Sequence, residues 1–106
     1  MALAYKVLGQ QAPAATTLVA LYTAPVMAIG SSLVICNRGV AGTVRVAVSP
    51  AGAAIANQHY LLYDTPIDGN AVEPFTLGLS LAATDVVRCY ASHANFSFNL
   101  FGVEVS

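Results

Sequence analysis

Gly42-Thr43-Val44-Arg45-Val46-Ala47-Val48-Ser49-Pro50-Ala51-Gly52 carries the clearest structural signal in the chain. From Thr43 to Val48 the residues alternate: Val44, Val46 and Val48 share one face, and Thr43, Arg45 and Ala47 share the other. A strand turns successive side chains to opposite faces, so this period of two predicts a strand with one buried side. Ser49-Pro50-Ala51-Gly52 then stops it, since Pro presets φ and Gly tolerates positive φ.

The same grammar extends in both directions. Towards the start, Asn37-Arg38-Gly39 is a turn that closes Ser32 to Cys36. Thr17 to Thr23 and Ala4 to Leu8 are further runs, the latter ended by Gly9 and the loop Gln10 to Thr16. Towards the end, Gln58 to Tyr63 is closed by Asp64-Thr65-Pro66 and Asp68-Gly69-Asn70. Phe75 to Leu79 follows Pro74, and Leu81 to Asp85 connects into Val86 to Ala91. The last run, Asn95 to Val105, sets Phe96, Phe98 and Leu100 on one face, with Gly102 marking a bulge or a close backbone approach. The Ala-rich piece Ala51 to Ala56 has room for a single helical turn.

Short β-branched and aromatic runs separated by turns are the pattern of a sandwich or barrel. The expectation is an all-β chain whose residues 1–106 form a single β-sandwich domain, jelly-roll-like, with about eight strands. Phe96, Phe98 and Leu100 are expected in the core with Val44, Val46 and Val48.

Composition sharpens this. Hydrophobic residues make up 57% of the chain and charged residues 8%, against roughly 25% charged in ordinary soluble domains. So few charges leave apolar surface uncovered, and large apolar patches mark interaction surfaces. Copies of the chain or a larger partner are expected to cover it. The net charge is −1, and Lys6, Arg38, Arg45 and Arg88 are scattered, so the chain lacks an electrostatic footprint for nucleic acid. Val7 to Asn37 carries no charge, and Leu18 to Cys36 is long enough to cross a bilayer. Thr23-Ala24-Pro25 and Gly30-Ser31-Ser32 divide that stretch, which favours two strands over a membrane helix. Lys6 is not followed by an apolar h-region, so no signal peptide is expected. Cys36 and Cys89 lie in apolar strand-like runs and are read as buried thiols.

Signals for chemistry are weak. Cys36, His59, Cys89 and His93 could make up a two-Cys, two-His site, yet neither a close Cys pair nor a close His pair occurs. Serines, histidines and aspartates fall in no G-x-S-x-G-like motif, and Asp64, Asp68 and Glu73 sit beside turn residues, where solvated carboxylates are the default. Gly39 and Gly42 lack the Lys and helix of a phosphate loop. No enzymatic activity and no cofactor are expected. Arg45 and Arg88 suit either intersubunit ion pairs or a solvated strand face. His59 is a partly buried or interface residue, and Tyr60, Tyr63 and Asp64 form an adjacent aromatic–acidic group. Arg45, Arg88, His59, Tyr60 and Tyr63 are therefore the candidate subunit-interface residues.

Five segments carry a resemblance: Tyr5-Lys6-Val7-Leu8-Gly9-Gln10, Val48-Ser49-Pro50-Ala51-Gly52-Ala53-Ala54, His59-Tyr60-Leu61-Leu62-Tyr63-Asp64, Leu81-Ala82-Ala83-Thr84-Asp85-Val86-Val87, and the ending Phe96 to Val105. Together they resemble small virion structural proteins of tailed bacteriophages, cyanophages included. The resemblance implies a capsid decoration (cement) protein on the virion surface, made in the host cytoplasm, a homotrimer bridging the major capsid protein. A neck, tail or baseplate component is the alternative it leaves open. From a different class, a carbohydrate- or receptor-binding sandwich would draw on Tyr60, Tyr63 and Asp64.

Overall fold

The computed structural model describes residues 2–106. Eight strands follow one another as β1 (Leu3–Gln11), β2 (Val19–Thr23), β3 (Met27–Asn37), β4 (Gly42–Ser49), β5 (Tyr60–Ile67), β6 (Val72–Leu81), β7 (Val86–Ala91) and β8 (Phe96–Val105). Two 3-10 turns, Pro50–Gly52 and Asn57–His59, lie between β4 and β5. The strands form two antiparallel four-stranded sheets, ordered β1-β8-β3-β6 and β2-β7-β4-β5. Along the chain, β4 pairs with β5, β3 with β6, β2 with β7 and β1 with β8. The chain is thus one long antiparallel hairpin wrapped so that successive pairs alternate between sheets, which is jelly-roll wiring.

The core fills the space between the sheets. Phe96, Phe98 and Leu100 of β8 and Leu33 and Ile35 of β3 face Val44 and Val46 of β4 and Val87 and Cys89 of β7. Val48 departs from expectation: it packs against this core but is only partly buried, near the end of β4 where the sheets give way to the Pro50–Gly52 turn. Ala47, expected to face out, is fully buried; its small side chain lies between its cross-strand neighbours Arg88 and Tyr60.

Several strands are longer than the sequence pattern suggests, and β1 continues past Leu8 through Gly9 to Gln11, with a bulge between Val7 and Gly9 that keeps it paired with β8. β3 runs straight through Gly30-Ser31-Ser32, because Gly30 pairs with Gly102 of β8 and Ser31 is absorbed as a bulge. A β-carbon at Gly102 would collide with the Ile29 carbonyl, so the interruption in β8 is a close backbone approach. β5 continues through Asp64-Thr65-Pro66, and β6 contains Pro74. Both are edge strands, where a missing N–H can face away from the ladder.

One end of the sandwich is held by Asn37, which is 1% exposed. Its Nδ2 donates to the carbonyls of Val40 (2.7 Å), Ile67 (3.3 Å) and Asp68 (3.1 Å), while Oδ1 accepts from Gly39 N (3.0 Å). One side chain thereby joins the β3–β4 and β5–β6 turns. Elsewhere, Ala2 and Ser106 exchange backbone hydrogen bonds of 2.7 and 2.9 Å, drawing the two ends of the chain together. Among the described residues, no helix is long and apolar enough to cross a membrane.

Candidate functional site

The two outer sheet faces have opposite chemistry. On the β2-β7-β4-β5 face, β5 bulges at Tyr63-Asp64: Val44 pairs with Thr65 but Val46 with Leu62, so β5 carries an extra residue. Asp64 takes a left-handed backbone (φ 50°), a conformation that Asp tolerates better than most residues. The bulge brings both Tyr63 and Asp64 to Arg45 of β4. Arg45 Nε donates to Asp64 Oδ1 at 2.7 Å and Nη2 to Oδ2 at 3.3 Å, a two-pronged ion pair. The guanidinium also lies over two rings, 4.2 Å from the centre of Tyr63 and 4.5 Å from that of Tyr90. Tyr60 meets Tyr63 edge to face at 4.9 Å, and with Asn57 the two tyrosines line a shallow hollow of about 370 Å³.

The structure thus brings Arg45, Tyr60 and Tyr63 into one cluster, with Asp64 and Tyr90 as members. The carboxylate that answers Arg45 belongs to the same chain. Arg88 stands on the same face, one strand over, and its Nε donates to the buried Ser49 Oγ at 3.0 Å. His59 serves its own turn, Nδ1 accepting from Ala56 N at 3.1 Å.

The β1-β8-β3-β6 face is different. Antiparallel register lines its outward residues in rows across the sheet. Leu3, Val105 and Met27 make one row; Tyr5, Val103, Ile29 and Ser80 the next; Val7, Phe101, Ser32 and Thr76 the third. Gln10, Asn99, Val34 and Pro74 follow, then Ser97, Cys36 and Val72. None of these residues is charged. Several of the apolar ones stand clear of the surface: Tyr5 is 78% exposed, Met27 55%, Leu3 53% and Ile29 45%, whereas Val34, Phe101, Val103 and Val105 are half-buried. Beside Met27 and Ile29, residues Ser80 to Ala83 complete an apolar groove of about 570 Å³. Apart from Cys36, no residue of this face carries a signal in the sequence, because its members come from four strands and share a surface only through the pairing.

Charges gather at the ends and on the opposite sheet. Lys6 and Tyr22 converge on Glu104, at 3.1 Å to Oε1 and 2.6 Å to Oε2. The Tyr22 hydroxyl and then Lys6 hold the Glu104 carboxyl below its ordinary value, while burial and Glu104 push the Tyr22 hydroxyl up. Asp85 accepts from Ala51 N and Ala82 N, each at 2.9 Å, which lowers its carboxyl too.

The four residues weighed as metal ligands stay apart. Cys89 is in the core, its thiol pushed up to about 12 by burial, whereas Cys36 lies half-buried on the outside of the other sheet. His59 is in the turn before β5. His93 is partly buried between β7 and β8, its Nε2 2.8 Å from the Val40 carbonyl and its ring against Phe96. Among the described residues no group of three metal-ligating side chains converges.

No family model matches the chain, and no curated protein is significantly similar to it.

Proposed function

We propose that the chain is a non-enzymatic structural subunit of a bacteriophage particle, most specifically a capsid decoration protein that stabilises the head as a homo-oligomer. The observation that carries this reading is the uncharged outer face of the β1-β8-β3-β6 sheet. Single exposed apolar residues are ordinary, but an uncharged sheet face with Leu3, Tyr5, Met27 and Ile29 exposed together at one end is a surface built to be covered. The low charge content, the jelly-roll wiring and the likeness to small phage virion proteins point the same way.

The mechanism is additive burial. A rigid sandwich laid across joints between shell subunits removes apolar area from water at each joint, at about 25 cal/mol per Å² before association costs. Repeated over a shell, small contacts resist expansion from within. No reaction is required of any residue.

The test is co-sedimentation of the purified protein with undecorated phage heads. Saturable binding to heads, with a raised temperature of head disruption, is the expected outcome. A protein that ignores heads but joins isolated tails or baseplates would move it to that part of the particle.

A second reading rests on the Asn57, Tyr60 and Tyr63 hollow. Aromatic rings beside an amide and a carboxylate suit a sugar ring, whose C–H groups stack while its hydroxyls bond. Glycan-array binding abolished by Tyr60→Ala would favour that reading over the structural one.

A further inference from the structure

The rows of the uncharged face decide what can cover it. At one end lie Leu3, Tyr5, Met27 and Ile29; at the other, Gln10, Asn99 and Ser97. Tyr5, the most exposed of its large apolar residues, stands on edge strand β1. Its own row crosses β8 and β3 and ends on edge strand β6 at Ser80, in the apolar groove. A projecting ring and an apolar groove therefore sit at the same height on opposite edges of one sheet.

We propose that this face is the contact between two copies of the chain, related by a two-fold axis running along the strands between β8 and β3. Such an axis preserves height along the strands and reverses their order across the sheet. It lays β1 of each copy over β6 of the other, so each Tyr5 enters the groove at Ile29 and Ser80 of its partner, and Val103 lies over Ile29. A two-fold running across the strands would instead set the Tyr5 end against the Gln10 and Ser97 end and leave both grooves empty.

Three considerations select a second copy as the occupant. Burying an unpaired charge is costly, and this face offers none, so it meets itself without that penalty. A four-stranded face about 19 Å wide and 30 Å long covers roughly 600 Å², and two copies bury about 1,200 Å², the lower bound of a standard stable interface. A three-fold contact, as in the homotrimer that the resemblance implies, would need a second, different apolar surface, and on the opposite sheet the exposed Leu61 and Tyr63 stand among Arg45, Asp64 and Arg88. The pairing rests on the homo-oligomer of the proposed function, with copies covering this face, so that contacts with a shell fall to the remaining surfaces.

Native mass from light scattering, across a dilution series from about 100 µM, reads the proposal apart from head binding. The expected mass is twice the 10.9 kDa of the chain. Tyr5→Asp should weaken pairing by at least about 100-fold through a buried unpaired charge, with unchanged circular dichroism, because Tyr5 lies outside the core. In a Cys36→Ser background, Val7→Cys with Thr76→Cys should yield chains covalently joined by a short bismaleimide, since the axis brings those positions together. Val7→Cys alone should not. A monomer at the highest concentration, a trimer, or a dimer indifferent to Tyr5→Asp would each overturn the pairing. Head binding by a monomer would spare the capsid reading while this one fell; a dimer that ignores heads would do the reverse.

Discussion

Phe98 and Asn37 hold the fold by opposite means, one by apolar burial and one by polar satisfaction. Phe98 is fully buried on β8. Phe98→Ala should cost about 3–5 kcal/mol in urea unfolding, since lost transfer energy and an unfilled cavity add. A loss below about 1 kcal/mol would place the ring at the surface. Asn37→Ala should cost about 2–3 kcal/mol, because three carbonyls and the Gly39 N–H lose their partner at a buried site. Asn37→Asp, though nearly the same size, should be at least as damaging, since an acceptor would then face three acceptors. Equilibrium unfolding of the two Asn37 variants side by side checks the ordering. The placements of Val44, Val46, Phe96 and Phe98 could be read from period-two alternation alone, whereas Val48, on the same face, is only partly buried. The role of Asn37 could not: two of its four partners, Ile67 and Asp68, lie 30 and 31 residues away in sequence, and an Asn before Arg38-Gly39 looks like an ordinary turn residue.

At the scale of the strand, bulges and close approaches set which side chains meet. The β5 bulge turns a nominal turn sequence into the piece that carries Tyr63 and Asp64 to Arg45. In the sequence, Asp64-Thr65-Pro66 resembles a stop; on an edge strand its Pro costs the ladder nothing. Gly30 and Gly102 show the same effect in the other sheet, where two apparent interruptions are paired across strands. Gly102→Ala should force β3 and β8 apart at the sheet centre and cost about 2–3 kcal/mol, read as a lowered urea midpoint. Gly78→Ala is the control: a β-carbon there meets nothing within 4 Å, so no steric loss is expected.

For the molecule as a whole, two carboxylates set the acid limit. Asp85 and Glu104 both have carboxyls held below their ordinary values of 3.8 and 4.5. The unfolded chain then takes up these protons at higher pH than the folded chain. Their contribution is complete above about pH 5 and is lost as pH falls through the depressed folded values. The thermal midpoint should therefore be flat from pH 7 to about 5 and fall below about 4. Asp85→Asn with Glu104→Gln should lower the midpoint at neutral pH and flatten that acid slope, as calorimetry across the range would show.

Fold class and core were open to sequence reading because alternation, turn residues and β-branched runs are local properties. So was the scarcity of charge, a property of composition from which the expectation of a covering partner follows. Sheet order, the pairing of Gly30 with Gly102, the Arg45 cluster and the uncharged face belong to tertiary structure. Each depends on which strands lie side by side and in what register, and a shift of one residue would turn every side chain of a strand to the other face. Local sequence specifies that a strand exists. Only closure of the whole hairpin decides what that strand lies beside.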